Sequence, residues 1–191
     1  MEETPRKSES DKSDSELVVA TLSGNQNAFK EMLNRYRSRI LAICIKMLKD
    51  RTDAEEAAQD IFVKIYLHLS EFEHSRSFIT WAGTIAANEC RDRLRKSTRK
   101  KRLFTELEKA DIEGDPVIPA FEENQEMNLN RVEKAIEQLP ENLKEIIVLK
   151  AYGNYSYEQI AEILKVRLGT VMSRLFRARK KLTDLLGGDI R

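Results

Sequence analysis

The sequence predicts an all-α protein: two small helical domains joined by an acidic linker, the second containing a helix-turn-helix. Three observations lead there. With 7 glycines and 4 prolines in 191 residues, 34% of them charged, the composition favours helices over turns and sheets. Apolar residues recur at helical spacing in two separate stretches. Between these stretches, from Thr105 to Met127, the chain turns acidic and carries Pro116 and Pro119.

The elements follow in order. Residues 1–14 mix Ser, Lys, Glu and Asp with no large apolar side chain after Met1, so a disordered tail is expected there, too polar for a signal peptide. The first domain is expected over residues 15–102. From Asn27, the positions Phe29, Met32, Leu33, Tyr36, Ile40, Ile43, Cys44, Met47 and Leu48 predict a long amphipathic helix ending near Asp50. Thr52 and Glu55 read as a capping box opening the next helix. Ala54, Ala58, Ile61, Phe62, Ile65 and Leu69 are its apolar side, and Glu55, Glu56, Gln59 and Asp60 its polar one. The loop SEFEHSRS precedes a third helix from near Phe78 through Trp81, Ile85, Asn88 and Leu94 into the basic run RDRLRKSTRKKR.

The linker is expected over residues 103–128 and the second domain over 129–191. Leu129, Val132, Ile136 and Leu139 share a helical phase that breaks at Pro140 and resumes through Leu143, Ile146, Ile147 and Leu149. Ser156 with Gln159 forms a capping box for a short helix turning Ile160, Ala161 and Leu164 inward. After the turn KVR comes GTVMSRLFRARKKL. Wound at about 100° per residue, it places Val171, Leu175, Ala178 and Leu182 on the core side. Ser173, Phe176, Arg177 and Lys180 lie opposite, with Arg174 and Lys181 on one shoulder and Met172 and Arg179 on the other.

A run of charge is ordinarily a solvated helix face. Here no acid occurs from Lys165 to Lys181, and Phe176 stands where a solvated face would hold Glu or Lys. A short capped helix, a tight turn and a basic second helix make a helix-turn-helix, whose second helix enters the major groove of DNA. Ser173, Phe176 and Arg177 are the candidates for base edges; Arg174, Arg179, Lys180 and Lys181 are placed for phosphates. Arg167, Thr170 and Met172, in the turn and first helical turn, complete the candidate surface.

Other chemistries find little support. The net charge of +1 conceals this local asymmetry. No apolar run reaches membrane-span length, so no membrane insertion is expected and a cytoplasmic location is. Cys44 and Cys90 lack CxxC or Cys/His spacing, which predicts buried free thiols rather than a zinc site or disulfide framework. His68 and His74 have no catalytic companions, and no Gly-rich phosphate loop follows a strand. Neither an enzyme nor a cofactor or metal is expected.

The motifs DAEEAAQDIFVKIY, FITWAGTIAANECRDRL, LPENLKEIIVLKAYGNYSYEQIAEIL and GTVMSRLFRARKKL, in that order, resemble those of bacterial RNA polymerase sigma factors of the sigma-70 family, extracytoplasmic-function group. The resemblance runs from about Asn27 to Leu186 apart from the linker. It implies a promoter-recognition subunit that binds the β′ and β subunits of core RNA polymerase and directs transcription initiation, under control of an anti-sigma factor. Glu56, Gln59 and Asp60 match positions that contact the β′ coiled coil. Phe72 and Asn88 match residues that hold a base flipped from the minus-ten element. Arg91, Arg93, Arg95 and Lys96 suit the DNA backbone nearby, and the helix-turn-helix the minus-thirty-five element. The resemblance also implies that the linker lies in the RNA-exit path of the polymerase; a plain solubilising spacer is the alternative.

Each assignment has a plainer alternative: a solvated helix face for the acids, loop packing for Phe72, a capping or core amide for Asn88, and core for Trp81. For the chain as a whole the alternatives are a helix-turn-helix repressor or activator, and a helical interaction protein with no DNA role. The chain departs from the family at Ala82, Gly83 and Thr84, where bulk and a basic residue are usual, at Arg167, usually Pro, and at Met172, usually Lys or Arg. A mid-helix glycine costs about 1 kcal/mol relative to alanine. The lost bulk is expected to alter contacts with the promoter or with this domain's own core.

Overall fold

The computed structural model describes residues 12–48, 50–107 and 125–187. The described residues form eight α-helices, a single 3-10 turn at Leu69–Glu71, and no strand. The helices are α1 (Asp14–Leu22), α2 (Gln26–Leu48), α3 (Arg51–Leu67), α4 (Phe78–Leu107), α5 (Gln125–Glu137), α6 (Glu141–Ala151), α7 (Tyr157–Leu164) and α8 (Leu168–Leu185).

Helices α1 to α4 wrap one core. Leu17, Met32, Ile40, Ile43, Ile61, Ile65 and Leu69 are essentially sealed from solvent there. The expected tail ends earlier than residue 14. Ser13 caps α1 reciprocally, its Oγ accepting from the Glu16 amide at 3.3 Å while Glu16 Oε2 accepts from the Ser13 amide at 2.6 Å. Asp14 accepts from Arg35 Nη1 at 3.2 Å and from the Tyr36 hydroxyl, tying α1 to α2. Residues 1–11 of that expectation lie outside the described residues.

The cap of α3 is also displaced from the expected position. Asp50, not Thr52, is the N-cap, its carboxylate accepting from the Asp53 amide at 2.7 Å. Asp is at least as good a cap as Thr, so the helix starts at the earlier residue. Thr52 falls inside the first turn, and Glu55 pairs with Arg51 Nε at 3.0 Å instead of reaching back to a cap.

In the second domain the Ser156 capping box forms as its sequence predicts, with Gln159 N to Ser156 Oγ at 3.2 Å and Ser156 N to Gln159 Oε1 at 2.9 Å. Ile146, Leu149, Tyr155, Ile160, Ile163, Val171, Leu175 and Ala178 form its core. The turn into α8 uses a left-handed residue, Lys165 (φ 53°), followed by Arg167 in an extended conformation (φ −69°, ψ 148°) as the N-cap. Proline shares that φ, so Arg167 replaces the family's usual residue without altering the backbone path.

The basic run continues as α4 to Leu107, and α5 opens at Gln125, so both ends of the expected linker are helical; residues 108–124 lie outside the described residues. The two domains touch. Helix α4 packs on α7 and α2 on α6, and the Lys144 ammonium, on α6, donates to the Met47 carbonyl of α2 at 3.2 Å. The Ala82-Gly83-Thr84 departure lies at this junction. The atoms nearest to a Cβ built on Gly83 belong to Tyr155 and Ile163 of the second domain, so the missing bulk makes room for the partner domain rather than for first-domain core.

Candidate nucleic-acid interface

The surface of α8 follows from its periodicity. Val171, Leu175 and Ala178 are sealed in the core, while Phe176 is 69% and Met172 55% exposed. Phe176 therefore does not pack into the core of its domain, whereas Tyr155 is wholly buried there. Ser173 Oγ donates to the Thr170 carbonyl at 3.1 Å, and Arg177 Nε reaches the Ser173 carbonyl at 3.4 Å, so both side chains lie along the outer face. Arg179 Nη2 donates to the Tyr157 hydroxyl at 3.3 Å, which orients one shoulder. Arg167 and Lys180 are exposed, and Thr170 and Arg174 are half-buried. The first turn of α8 carries no acid and has Arg167 at its N-cap, so the positive end of the helix dipole is left without a carboxylate of its own and is suited to an external anion.

In the first domain the expected DNA and polymerase residues meet each other. Glu56, Gln59 and Asp60 are all exposed on α3. Arg93 of α4, however, gives Nη2 to Asp60 Oδ2 at 2.5 Å, Nε to Glu89 Oε1 at 2.7 Å and Nη1 to Asp53, with Glu56 at 3.9 Å. Burial disfavours its charge, but the hydrogen bonds to Glu89, Asp53 and Asp60 outweigh that and hold the guanidinium more firmly protonated than usual. Arg93 thus joins α3 to α4, and its donors point at carboxylates rather than outward.

The neighbouring residues divide similarly. Arg91 gives Nε to Glu145 Oε1 at 2.6 Å and Nη1 to Asn88 Oδ1 at 2.8 Å, so Asn88, though exposed, is held by its own helix. Burial raises the pKa of Glu145 and the Arg91 charge only partly reverses this. Arg95 and Lys96 are exposed; Arg95 has Asp92 near it at 3.8 Å. Phe72 is only 5% exposed, its ring centroid 5.4 Å from Phe78, 5.5 Å from Trp81 and 5.7 Å from His74. To hold a base, that ring would have to leave an aromatic cluster.

A surface not foreseen adjoins the acidic face. Along α2 and α3 runs an open groove of about 1140 Å³, bordered by Gln59 and lined by Phe29, Leu33, Phe62, Val63, Tyr66 and Leu67. Val63, Tyr66 and Leu67 are 56%, 55% and 67% exposed. Gln59, Val63 and Tyr66 fall at i, i+4 and i+7, one helical face, and the signal lay in apolar residues outside the core stripe.

Cys44 and Cys90 are buried free thiols, their sulfurs 3.9 Å apart; the hydrogen bond between them and burial push the Cys90 pKa up. Among the described residues no cluster of His, Cys, Asp and Glu is arranged to hold a metal, and no helix is long and apolar enough to cross a membrane.

Residues 32–100 match the family described as sigma-70 region 2, and residues 129–182 that described as sigma-70, region 4. The chain is 33% identical over 175 residues to the ECF RNA polymerase sigma factor SigW of Bacillus subtilis (strain 168), covering 85% of this chain and 91% of that protein. It is 31% identical to the RNA polymerase sigma-H factor of Pseudomonas aeruginosa, covering 91% and 93%. Among solved structures, CnrH in complex with the cytosolic domain of CnrY matches with a TM-score of 0.69 at 27% identity, over 93% of this chain and 99% of that one. The sigma factor RpoE in complex with the anti-sigma factor NepR, from Bartonella quintana, also matches at a TM-score of 0.69, with 29% identity over 85% of this chain and 98% of that one.

Proposed function

This chain belongs to the extracytoplasmic-function group of sigma-70 factors, and we propose how its surfaces divide the work of binding core RNA polymerase and directing it to promoters. The observation that carries the DNA assignment is the outer face of α8, acid-free from Lys165 to Lys181 with Phe176 left 69% exposed. On this reading Ser173, Phe176 and Arg177 meet base edges of the minus-thirty-five element, while Arg167, Thr170, Met172, Arg174, Arg179 and Lys180 flank them toward the backbone. Arg95 and Lys96 serve the backbone near the minus-ten element, with Asn88 beside them. Arg91 joins them once Glu145 is displaced, Phe72 once its ring leaves the cluster.

Core polymerase docks on α3, where Glu56, Gln59 and Asp60 provide the polar contacts and the Val63, Tyr66 and Leu67 strip the apolar ones. The same strip suits an anti-sigma factor. Two similar solved structures are complexes, CnrH with the cytosolic domain of CnrY and the sigma factor RpoE with the anti-sigma factor NepR. A factor working with core polymerase acts in the cytoplasm. A plain repressor or activator would use the second domain and leave the region 2 match and the α3 face without a role.

The test is association with core polymerase. Glu56→Lys combined with Gln59→Ala changes only exposed helix positions, so melting should be nearly unaltered while capture by immobilised core polymerase drops at least about tenfold. Undiminished capture would remove α3 as the docking face.

A further inference from the structure

Three helices of the second domain meet at the Tyr157 ring. Tyr157 is the first residue of α7, and the Ser156 capping box fixes its backbone. Its side chain is half-buried against the domain core. The Lys150 ammonium, on α6, stands over the ring 5.3 Å from its centroid and donates to the Tyr155 carbonyl at 3.1 Å. The ring is thus held from three sides, and its hydroxyl reaches α8, where it accepts from Arg179 Nη2 at 3.3 Å.

The kind of acceptor decides what this contact does. Arg35, Arg76, Arg91 and Arg93 each meet a carboxylate, which holds the guanidinium but also offsets its charge. Arg179 is held by a neutral oxygen instead. A phenol orients the guanidinium, leaves its positive charge undiminished, and occupies only one of its five N–H donors. The acid next to Tyr157 in sequence, Glu158, is engaged at the start of α7, where hydrogen bonds from its own backbone and from Ser156 keep its pKa below the ordinary value.

We propose that Tyr157 is a positioning residue for promoter recognition: it presets the exposed Arg179 guanidinium for a DNA phosphate and so fixes the register of α8 in the major groove. The inference rests on the minus-thirty-five reading of α8 given above. A long side chain gives up rotamer freedom when it binds, and one already held gives up less. Phosphate contacts set orientation while base contacts carry sequence, so a loose Arg179 would blur the alignment of Ser173, Phe176 and Arg177 with their bases.

The experiment is a double-mutant cycle on the full chain bound to core polymerase, reading affinity for the promoter duplex that the wild type prefers. Tyr157→Phe keeps the ring and its packing and removes only the oxygen. It should lower affinity about three- to tenfold, with the melting temperature of the free chain within about 1 °C of wild type. Arg179→Ala should also lower affinity, and adding Tyr157→Phe to it should cost nothing further, because the hydroxyl then has nothing to hold. Losses that multiply in the double variant would overturn the positioning role, and so would Tyr157→Phe binding as wild type does. Arg179→Ala without effect, while Arg177→Ala still weakens binding, would overturn it too, since there would be no contact to position. If Arg177→Ala, Arg179→Ala and Tyr157→Phe all bound as wild type does, the reading of α8 as the DNA-facing helix would fail, and the positioning role with it.

Discussion

Arg93 Nη2 donates to Asp60 Oδ2 at 2.5 Å, so a residue expected to face DNA and one expected to face polymerase are each other's partner. The same guanidinium holds Glu89, which is only 8% exposed. Arg93→Ala would leave Glu89 to Lys64 alone and strand Asp53. The expected cost is about 2–4 kcal/mol, seen as a fall in denaturant midpoint, because the lost partner leaves a buried charge poorly compensated. The salt dependence of promoter-duplex binding should be unchanged. A full-strength fold with a shallower salt slope would show that Arg93 serves phosphates after all.

Acidity should act through the same cluster. Burial raises the pKa of Glu89, but Lys64 and Arg93 more than offset it and hold the carboxylate below its ordinary 4.5. A carboxylate shifted this way stabilises the fold above its unfolded pKa, and the contribution disappears as pH falls through the folded value. Melting temperature should therefore drop below about pH 4.5. Glu89→Gln should melt lower than wild type at pH 7, by about 1.5–3 kcal/mol of stability, with the gap narrowing in acid. A gap independent of pH would contradict the pairing.

Much of this was legible locally and little of it across the chain. The Ser156 to Gln159 box, the core stripe of α8 and its basic face are encoded within a few residues, and periodicity recovers them. The α3 cap was misplaced because Asp50 and Thr52 are both competent caps two residues apart. Helix α1 was missed because Leu17 and Val18 become a core face only once α2 is present. Gly83 reads as a helix defect in sequence; its purpose is visible only beside Tyr155, 72 residues away. Likewise nothing near Arg91 or Arg93 announces Glu145 or Asp53 as partners, since an ion pair between distant segments leaves no periodic trace.

The two kinds of cation on α8 should separate by experiment. Arg177→Ala, losing a bidentate contact to a guanine edge, should cost about 1–3 kcal/mol on the preferred duplex and flatten sequence preference. Lys180→Ala should weaken all duplexes alike and lower the salt slope by about one unit. Binding to a duplex panel at several salt concentrations checks both; equal effects from the two variants would make α8 a non-specific clamp.

Phe176 supplies a cleaner discrimination. Because it is 69% exposed, Phe176→Ala should leave the melting temperature within about 1 °C of wild type. Sequence preference should nevertheless relax, through loss of apolar contact with a base or a thymine methyl. A large fall in melting temperature would mean the ring is structural in solution.

The central claim is that this chain makes core RNA polymerase specific for promoters. The most direct measurement is run-off transcription by purified core polymerase on a library of promoter-bearing templates, with and without the full chain. The account predicts discrete transcripts from a subset of templates only when the chain is present, lost when the Glu56→Lys and Gln59→Ala changes are combined. Initiation no different from that of bare core polymerase on every template would contradict it.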